Sequence, residues 1–383
     1  PKAMVHSHGG IVLTHLKTNR LQHDVRPGDR FMFLGSTGWI VWNLMVGGLL
    51  AGATVVLSDG NPTSPDDDAL WDFIDRHQVT LFGCGAAFLV KSMKAGVVPG
   101  RGRSFSKLRA IHCTGSPLPL PAYGWVYGSI KRDLWLASVS GGTDIAAGFV
   151  ACAPLLPVHA GEIQCRELGV AAHAFDEQGR SVVGEMGELV ITEPMPSMPV
   201  HFWNDDDGSR YRDSYFDTFP GCWRHGDWIA FSERGTAVIY GRSDTTINRF
   251  GIRMGTAEIY RVVEEIPAVV DSLVVDLEFL GRPSFMPLFV VLAPGMALTD
   301  ALVIEIRNAI RTRASARHVP DAVVQVAEVP RTLTGKKMEL PVRKLLLGAD
   351  PAKVASPDAM ANPRSIDFFV QYRVPGAAGA GEE

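Results

Sequence analysis

Cysteine is scarce in this chain and spread without pattern: Cys84, Cys113, Cys152, Cys165 and Cys222 are the five among 383 residues, with no C-x-x-C pair. That excludes a disulfide framework and a structural zinc site of the usual spacing, and it fits a reducing, cytoplasmic setting. A basic excess is also lacking, since the net charge is -4 and the pI about 6.3. Neither nucleic acid nor an anionic membrane surface is therefore expected as the main partner, and any phosphate binding must rest on local arginines. No charged, apolar and small-residue signal pattern stands near the start. The chain opens on Pro1 rather than Met, as expected of a piece of a longer protein. There is no internal repeat, and nothing in the sequence speaks to oligomeric state.

One long apolar run exists, "GWIVWNLMVGGLLAGATVVL" from Gly38 to Leu57, where Asn43 is the only clearly polar side chain. It is long enough for a membrane span. Gly52 divides it into a helix-like half and a β-branched half, so a buried helix followed by a buried parallel strand accounts for the same letters, and no membrane is expected.

With 46% hydrophobic and 20% charged residues, the chain has the apolar content of two or three globular domains. Between residues 30 and 150, short apolar runs ("ATVVLS", "VTLFGCG", "LRAIHCTGS", "LWLASVSGG") alternate with helical patterns such as "DALWDFIDRHQ". This predicts an α/β layer with a parallel sheet. Ligands of such sheets bind beyond the carboxyl ends of the strands. Attention therefore falls on Gly115-Ser116-Pro117 and on Ser140-Gly141-Gly142-Thr143-Asp144. From 160 to 240 the texture becomes hairpins, predicting a small β-barrel or sheet. After Asp244 a compact α+β pattern follows. The expected parts are residues 1–160 (sheet layer), 161–243 (β-rich subdomain), 244–350 (small α+β domain) and 351–383 (a Pro- and Ala-rich tail with little core).

Two segments concentrate charge on permissive backbone. "GRSDTTINRFGIRMGTAEIY", Gly241 to Tyr260, holds three arginines, and "PRTLTGKK", Pro330 to Lys337, presents Lys336 just after a glycine. Arginine forks and a lysine on a tight turn suit phosphate or carboxylate, though solvated surface charge would look alike.

The second segment resembles the P-x-T-x-S-G-K loop of the adenylate-forming enzymes, the superfamily of acyl-CoA synthetases and adenylation domains. Gly241-Arg242-Ser243-Asp244 with Gly251-x-Arg253-x-Gly255 is similar to its hinge and the loop after it, Trp223-x-x-Gly226-Asp227 to its ribose motif, and Gly141 to Asp144 to its nucleotide loop. "KAMVHSHGGIVLTHLK", "HFWNDDDGSRYRDSYF" and "NPRSIDFF" further resemble the acetoacetate–CoA ligase family, across nearly the whole chain.

The resemblance implies the C-terminal part of a large adenylate-forming domain followed by a small mobile domain. The implied reaction is an ATP-dependent ligation of acetoacetate to coenzyme A with Mg²⁺. Lys336 would be the catalytic residue of adenylation, with Lys337 a neutral neighbour. Gly115, Ser116, Pro117, Ser140, Gly141, Gly142, Thr143, Asp144, Asp227, Arg242 and Arg253 would bind ATP or AMP, Asp244 would be the hinge, and Gly251 and Arg311 would meet coenzyme A, with solvated surface charge the equal alternative for Arg311. Asp144 stands where relatives carry Glu, as a weak metal-linked acid. Gly141 stands where acetyl-CoA synthetases carry tryptophan, so Gly141 and Gly142 are expected to leave room in an acyl pocket, with Ser138, Ser140 or, alternatively, a backbone N–H as the donor for the keto oxygen. His6 and His8 fall in the strand and turn after the family's phosphate loop, so no metal is expected there. That loop's Ser, Thr and Gly donors would precede Pro1-Lys2, and the chain alone is expected to bind ATP weakly and to release little pyrophosphate. A ligase for another short-chain acid and a non-catalytic nucleotide-binding remnant are the alternative readings.

Overall fold

The computed structural model describes residues 3–243, 247–249, 252–279, 282–333 and 335–375. Two compact units divide the chain, residues 1–239 and 240–383.

In the first unit a wholly parallel five-stranded sheet runs in the order Thr54–Val55, Arg30–Phe33, Leu81–Gly85, Ala110–Thr114, Trp135–Ser138. Its central strands carry Leu81, Phe82, Cys84, Ala110, Ile111 and Cys113, all buried, as strands covered on both faces must be. The helix Ala69–Arg76 buries Leu70, Trp71 and Ile74, one face at helical spacing, and turns Asp72 outward. Trp71 fills the space between that helix and the sheet, with Phe82 and Phe88 at 5.7 and 5.4 Å between ring centroids.

The apolar run becomes the helix Ile40–Gly47, a tight turn Gly48–Ala51 and the strand Thr54–Val55. Gly52, at φ +80°, makes the left-handed corner between them at little steric cost. No helix among the described residues is long and apolar enough to cross a membrane. The expected full burial of this helix is corrected. Val41, Met45 and Gly47 of the helix are covered, whereas Val46 is 38% exposed and Leu49 and Leu50, in the turn that follows, are 57% and 50% exposed, because the run packs against the sheet on one side.

Beyond the parallel sheet come a three-stranded antiparallel sheet, Ser140–Gly142, Ala147–Ala151 and Cys165–Arg166, and a five-stranded one in the order Ser181–Val182, Ala172–Phe175, Met186–Ile191, Trp223–Phe231, Ala237–Arg242. The hairpin texture after residue 160 reflects these short pairings.

Two histidines are enclosed in the first unit. His112, on the strand Ala110–Thr114, lies against His23 with ring centroids 4.3 Å apart. Both are essentially inaccessible, and none of their four ring nitrogens has a hydrogen-bond partner. Burial pushes the His23 imidazole down to about 4 from the ordinary 6.5, and burial followed by the His23 and Arg109 charges lowers His112 well below that value. Well above pH 6.5 both are neutral in either state and contribute no pH dependence to stability. As pH falls from 6.5 towards 4 the unfolded chain takes up protons that the folded chain refuses, so stability falls by up to about 1.4 kcal/mol per pH unit for each imidazole. Urea midpoints measured across that window should drop with pH, and His112→Leu should flatten the slope; an unchanged slope would show that the pair is not buried neutral.

The second unit is built on the strands Val269–Val274, Pro287–Leu292 and Ala322–Gln325, the first pair antiparallel and the second parallel. Period-two alternation sends its side chains to two cores. Val274, Leu288 and Val290 meet the helices Thr256–Val263 and Asp300–Arg313 through Ile259, Val263, Ile306 and Ile310. Leu273, Val275 and Phe289 meet the helices Glu339–Leu346 and Ile366–Gln371 through Val342, Leu345 and Phe369. The expectation of a tail with little core after residue 350 is thereby corrected for its described part: Phe369 is 1% exposed and packs edge-on to Phe289 at 4.8 Å. Composition rich in Pro and Ala concealed an aromatic cluster, "IDFFVQY", that closes one face of the sheet.

Candidate active site

In the first unit the expected residues gather where two adjacent parallel strands end. Gly115 follows Ala110–Thr114 at φ +88°, and the Thr114 hydroxyl donates to the Val139 carbonyl at 2.8 Å, tying the Gly115-Ser116-Pro117 turn to the segment entering Ser140–Gly142. Thr143 and Asp144 form a single tight turn that ends on Ala146 at φ +51°, a conformation that costs a non-glycine residue. The buried His15, on the helix His8–Lys17, meets the Ala146 carbonyl through Nε2 at 3.0 Å. Burial lowers the His15 pKa, with the Ala146 contact opposing it.

Asp144 accepts a very short hydrogen bond from the Tyr215 hydroxyl. Tyr215 is itself 2% exposed and stacked on Trp223, centroids 3.5 Å apart and planes 13° from parallel. Trp223 begins the strand Trp223–Phe231, which carries Asp227, 8% exposed, with His225 Nε2 3.5 Å from its Oδ2. A Cβ on Gly142 would stand 2.7 Å from His225 Cε1 and 3.4 Å from Asp144 Oδ2. Gly142, Asp144, Tyr215, His225 and Asp227 therefore form one cluster with two carboxylates. Tyr215 and His225 were not singled out from the sequence. His225 sits inside the quoted W-x-x-G-D motif, whose intervening positions carry no rule. Tyr215 is 71 residues from the acid it holds, and only the aromatic density of "SYFDTF" hinted at it.

The surroundings of Gly141 and Gly142 are tight on the side a Cβ would take. A Cβ at Gly141 would lie 2.0 Å from the Ala147 carbonyl oxygen and 2.6 Å from the Gly148 Cα. That glycine allows two backbones to approach, and the space beside Gly142 belongs to His225. His6 contacts the Ser197 carbonyl through Nδ1 at 2.9 Å. No group of three or more metal-capable side chains occurs among the described residues.

The other expected residues belong to the second unit. Arg242 ends the strand Ala237–Arg242 and is exposed. Asp244 and Gly251 lie outside the described residues, and of Arg253 only its strand, Ile252–Met254, is described. Arg311 is exposed near the end of its helix and bonds only to its neighbour Asn308 among the contacts described, at 3.1 Å. Lys336 is exposed on a closed turn: Gly335 takes φ +81°, the Thr332 N–H donates to the Lys336 carbonyl at 2.9 Å, and the Lys336 N–H donates to Thr332 Oγ1 at 3.1 Å. Lys337 is not the neutral neighbour expected. Its side chain is 13% exposed and lies 3.3 Å from Asp271 Oδ1.

Comparison with known proteins bears on this arrangement. The chain is 45% identical to the acetoacetyl-coenzyme A synthetase of Rhizobium meliloti (strain 1021) over 96% of its own length and 56% of that protein's. It is 42% identical to the acetoacetyl-CoA synthetase of Gallus gallus, again over 96% of this chain and 55% of that one. The solved acetoacetyl-CoA synthetase from Streptomyces lividans matches with a TM-score of 0.90 and 49% identity, covering 97% of this chain and 57% of that structure. The chain thus spans a little over half the length of these relatives. Residues 1–198, just over half of the chain, match the model of the AMP-binding enzymes, and the chain belongs to the AMP-binding enzyme family.

Proposed function

We propose that this chain works in the ATP-dependent ligation of acetoacetate to coenzyme A. The observation that carries the reading is the 49% identity at a TM-score of 0.90, over 97% of this chain, to a structure titled acetoacetyl-CoA synthetase. In the first step a carboxylate oxygen attacks the α-phosphorus of ATP, the bond to the β-phosphate breaks, and pyrophosphate leaves an acetoacetyl-adenylate. In the second the coenzyme A sulfur attacks the acyl carbon, AMP departs and the thiol proton is released.

Negative charge accumulates in both steps, so preorganised cations and donors must meet it. Lys336, an exposed ammonium on a braced turn, faces the carboxylate and α-phosphate in this reading. Asp227 and Arg242 hold the ribose, a carboxylate accepting from two vicinal hydroxyls being strong, charge-assisted bonding. Gly115 to Pro117 and Ser140 to Thr143 line the nucleotide, and Arg253 meets phosphate. Asp244 serves as the hinge, and Gly251 and Arg311 serve coenzyme A. Mg²⁺ arriving with ATP needs one or two protein carboxylates beside the phosphates. Asp144, fixed by Tyr215, fits that requirement and would supply one oxygen ligand, the ion neutralising phosphate charge. Five free cysteines support a cytoplasmic setting.

The test is acid-dependent exchange of labelled pyrophosphate into ATP by the protein expressed from its full reading frame, followed by thioester formation on adding coenzyme A. Acetoacetate should support both. Equal rates with acetate or butyrate would favour a less selective ligase, and no exchange with any short acid would overturn the reading.

A further inference from the structure

Lys336 and Lys337 are neighbours in sequence and opposites in placement. The Lys337 ammonium donates to Glu264 and to the Ser272 carbonyl, and it lies 3.6 Å from the centroid of the Tyr260 ring. Tyr260 in turn accepts from the Val274 N–H at 3.2 Å and donates to Glu339 at 3.0 Å. A compact ammonium suits this three-sided seat of carboxylates, carbonyl and aromatic face better than a planar guanidinium would.

The opposite limb of the turn is held by arginine. Arg331 places Nε 3.0 Å from Asp271 Oδ2 and Nη2 2.8 and 2.7 Å from Oδ1 and Oδ2, and its Nη1 donates to the Gly335 carbonyl within the turn itself. Arg331 and Lys337 also pair as an isolated antiparallel bridge. Both limbs thus converge on one carboxylate, Asp271, in the strand Val269–Val274. Burial alone would raise the Asp271 pKa; the Lys337 and Arg331 charges outweigh it and hold the group ionised below its ordinary range.

We infer that Arg331 and Lys337 are positioning residues for Lys336, clamping both limbs of its turn to Asp271 so that one ammonium is partly buried as an anchor and the other is presented at a fixed place. This inference rests on the ligase reading above. Its physical logic is that a long, flexible lysine can act at a defined point only if its Cα is fixed. Partly buried charge-assisted bonds fix a five-residue turn better than solvated pairs do.

The experiment uses the full-reading-frame protein with Asp271→Asn, which keeps shape and removes the shared anion, and Arg331→Lys, which keeps charge and loses the fork. Hydrogen exchange at the Thr332, Gly335 and Lys336 amides reads the turn directly and needs no catalysis. Exchange should accelerate in both variants. Adenylation kcat should fall by about a hundredfold, the loss that a displacement on the order of 1 Å produces, with the KM for ATP little changed. Thioester formation from supplied acyl-adenylate should be retained. If both half-reactions fall together with the folded fraction, or if turn exchange is unchanged, Arg331 and Lys337 only hold the domain together and the inference is overturned. A wild-type protein with no adenylation would defeat the ligase reading, and turn exchange would still decide whether the clamp exists.

Discussion

Replacing Lys336 with alanine should slow acyl-adenylate formation by about a hundredfold to a thousandfold, the range for losing one preorganised charge-stabilising group, and should leave thioester formation from supplied adenylate far less affected. The asymmetry follows from the chemistry proposed for each step. In the first, an anionic carboxylate approaches an anionic phosphate, and a cation is needed between them. In the second, a thiol attacks an already activated carbonyl, and in the proposed scheme the charge that develops on the departing AMP is met by groups other than this lysine. Thermal melting of the variant separates fold loss from catalysis, and Lys336 itself is exposed. Lys337 cannot serve as the neutral control, since truncating it would leave Glu264 and Asp271 short of a partly buried cation. Lys353, exposed on the short helix Pro351–Val354, is the better control. Equal losses in the two half-reactions would remove Lys336 from its assigned role.

The contrast between these two lysines marks where sequence reading stops. That a glycine-punctuated turn carries them was legible, because Pro330 and Gly335 have steric consequences that hold in any fold. Which ammonium turns inward was not, since it depends on Glu264, Asp271 and Tyr260, brought alongside from other elements. The same division runs through the first unit. Alternating strands and helices placed Gly115 and Ser140 at the ends of adjacent strands, and the Thr114–Val139 bond is the direct product of that adjacency. Tyr215 and His225 required knowing that the strand Trp223–Phe231 lies beside the Asp144 turn, information that no local periodicity holds. The described part of the tail failed differently: composition suggested too little apolar surface, while the spacing of Ile366, Phe369 and Tyr372 carried a buried face.

Gly141→Trp is expected to abolish activity towards acetate, butyrate and acetoacetate alike, rather than to redirect the enzyme to the smallest acid. Register explains why. Ser140–Gly142 pairs with Ala147–Ala151 through Gly141 opposite Gly148 and Gly142 opposite Ala147, with an irregularity between Ser140 and Gly141. That pairing aims the Gly141 Cβ at backbone: the Ala147 oxygen at 2.0 Å, the Gly148 Cα at 2.6 Å and the Ala147 carbon at 2.8 Å. Backbone cannot rotate aside as a side chain can, so even Gly141→Ala must separate the strands at the point where they shape the Asp144 turn. Overpacking of this kind typically costs about 1–3 kcal/mol and more where the obstacle is rigid, and it displaces Asp144 from the reach of Tyr215. Gly142→Ala meets a softer obstacle, the His225 ring edge at 2.7 Å, and should lose less activity because the imidazole can shift. The measurement is kcat/KM for the three acids in each variant, with thermal melting to follow the fold. A parallel fall in all three, with a lowered Tm, is the expected result at Gly141. Retained or improved turnover of acetate, with selective loss of the two longer acids, would mean that the side chain finds open space after all and that the strand pairing is not as rigid as its contacts imply.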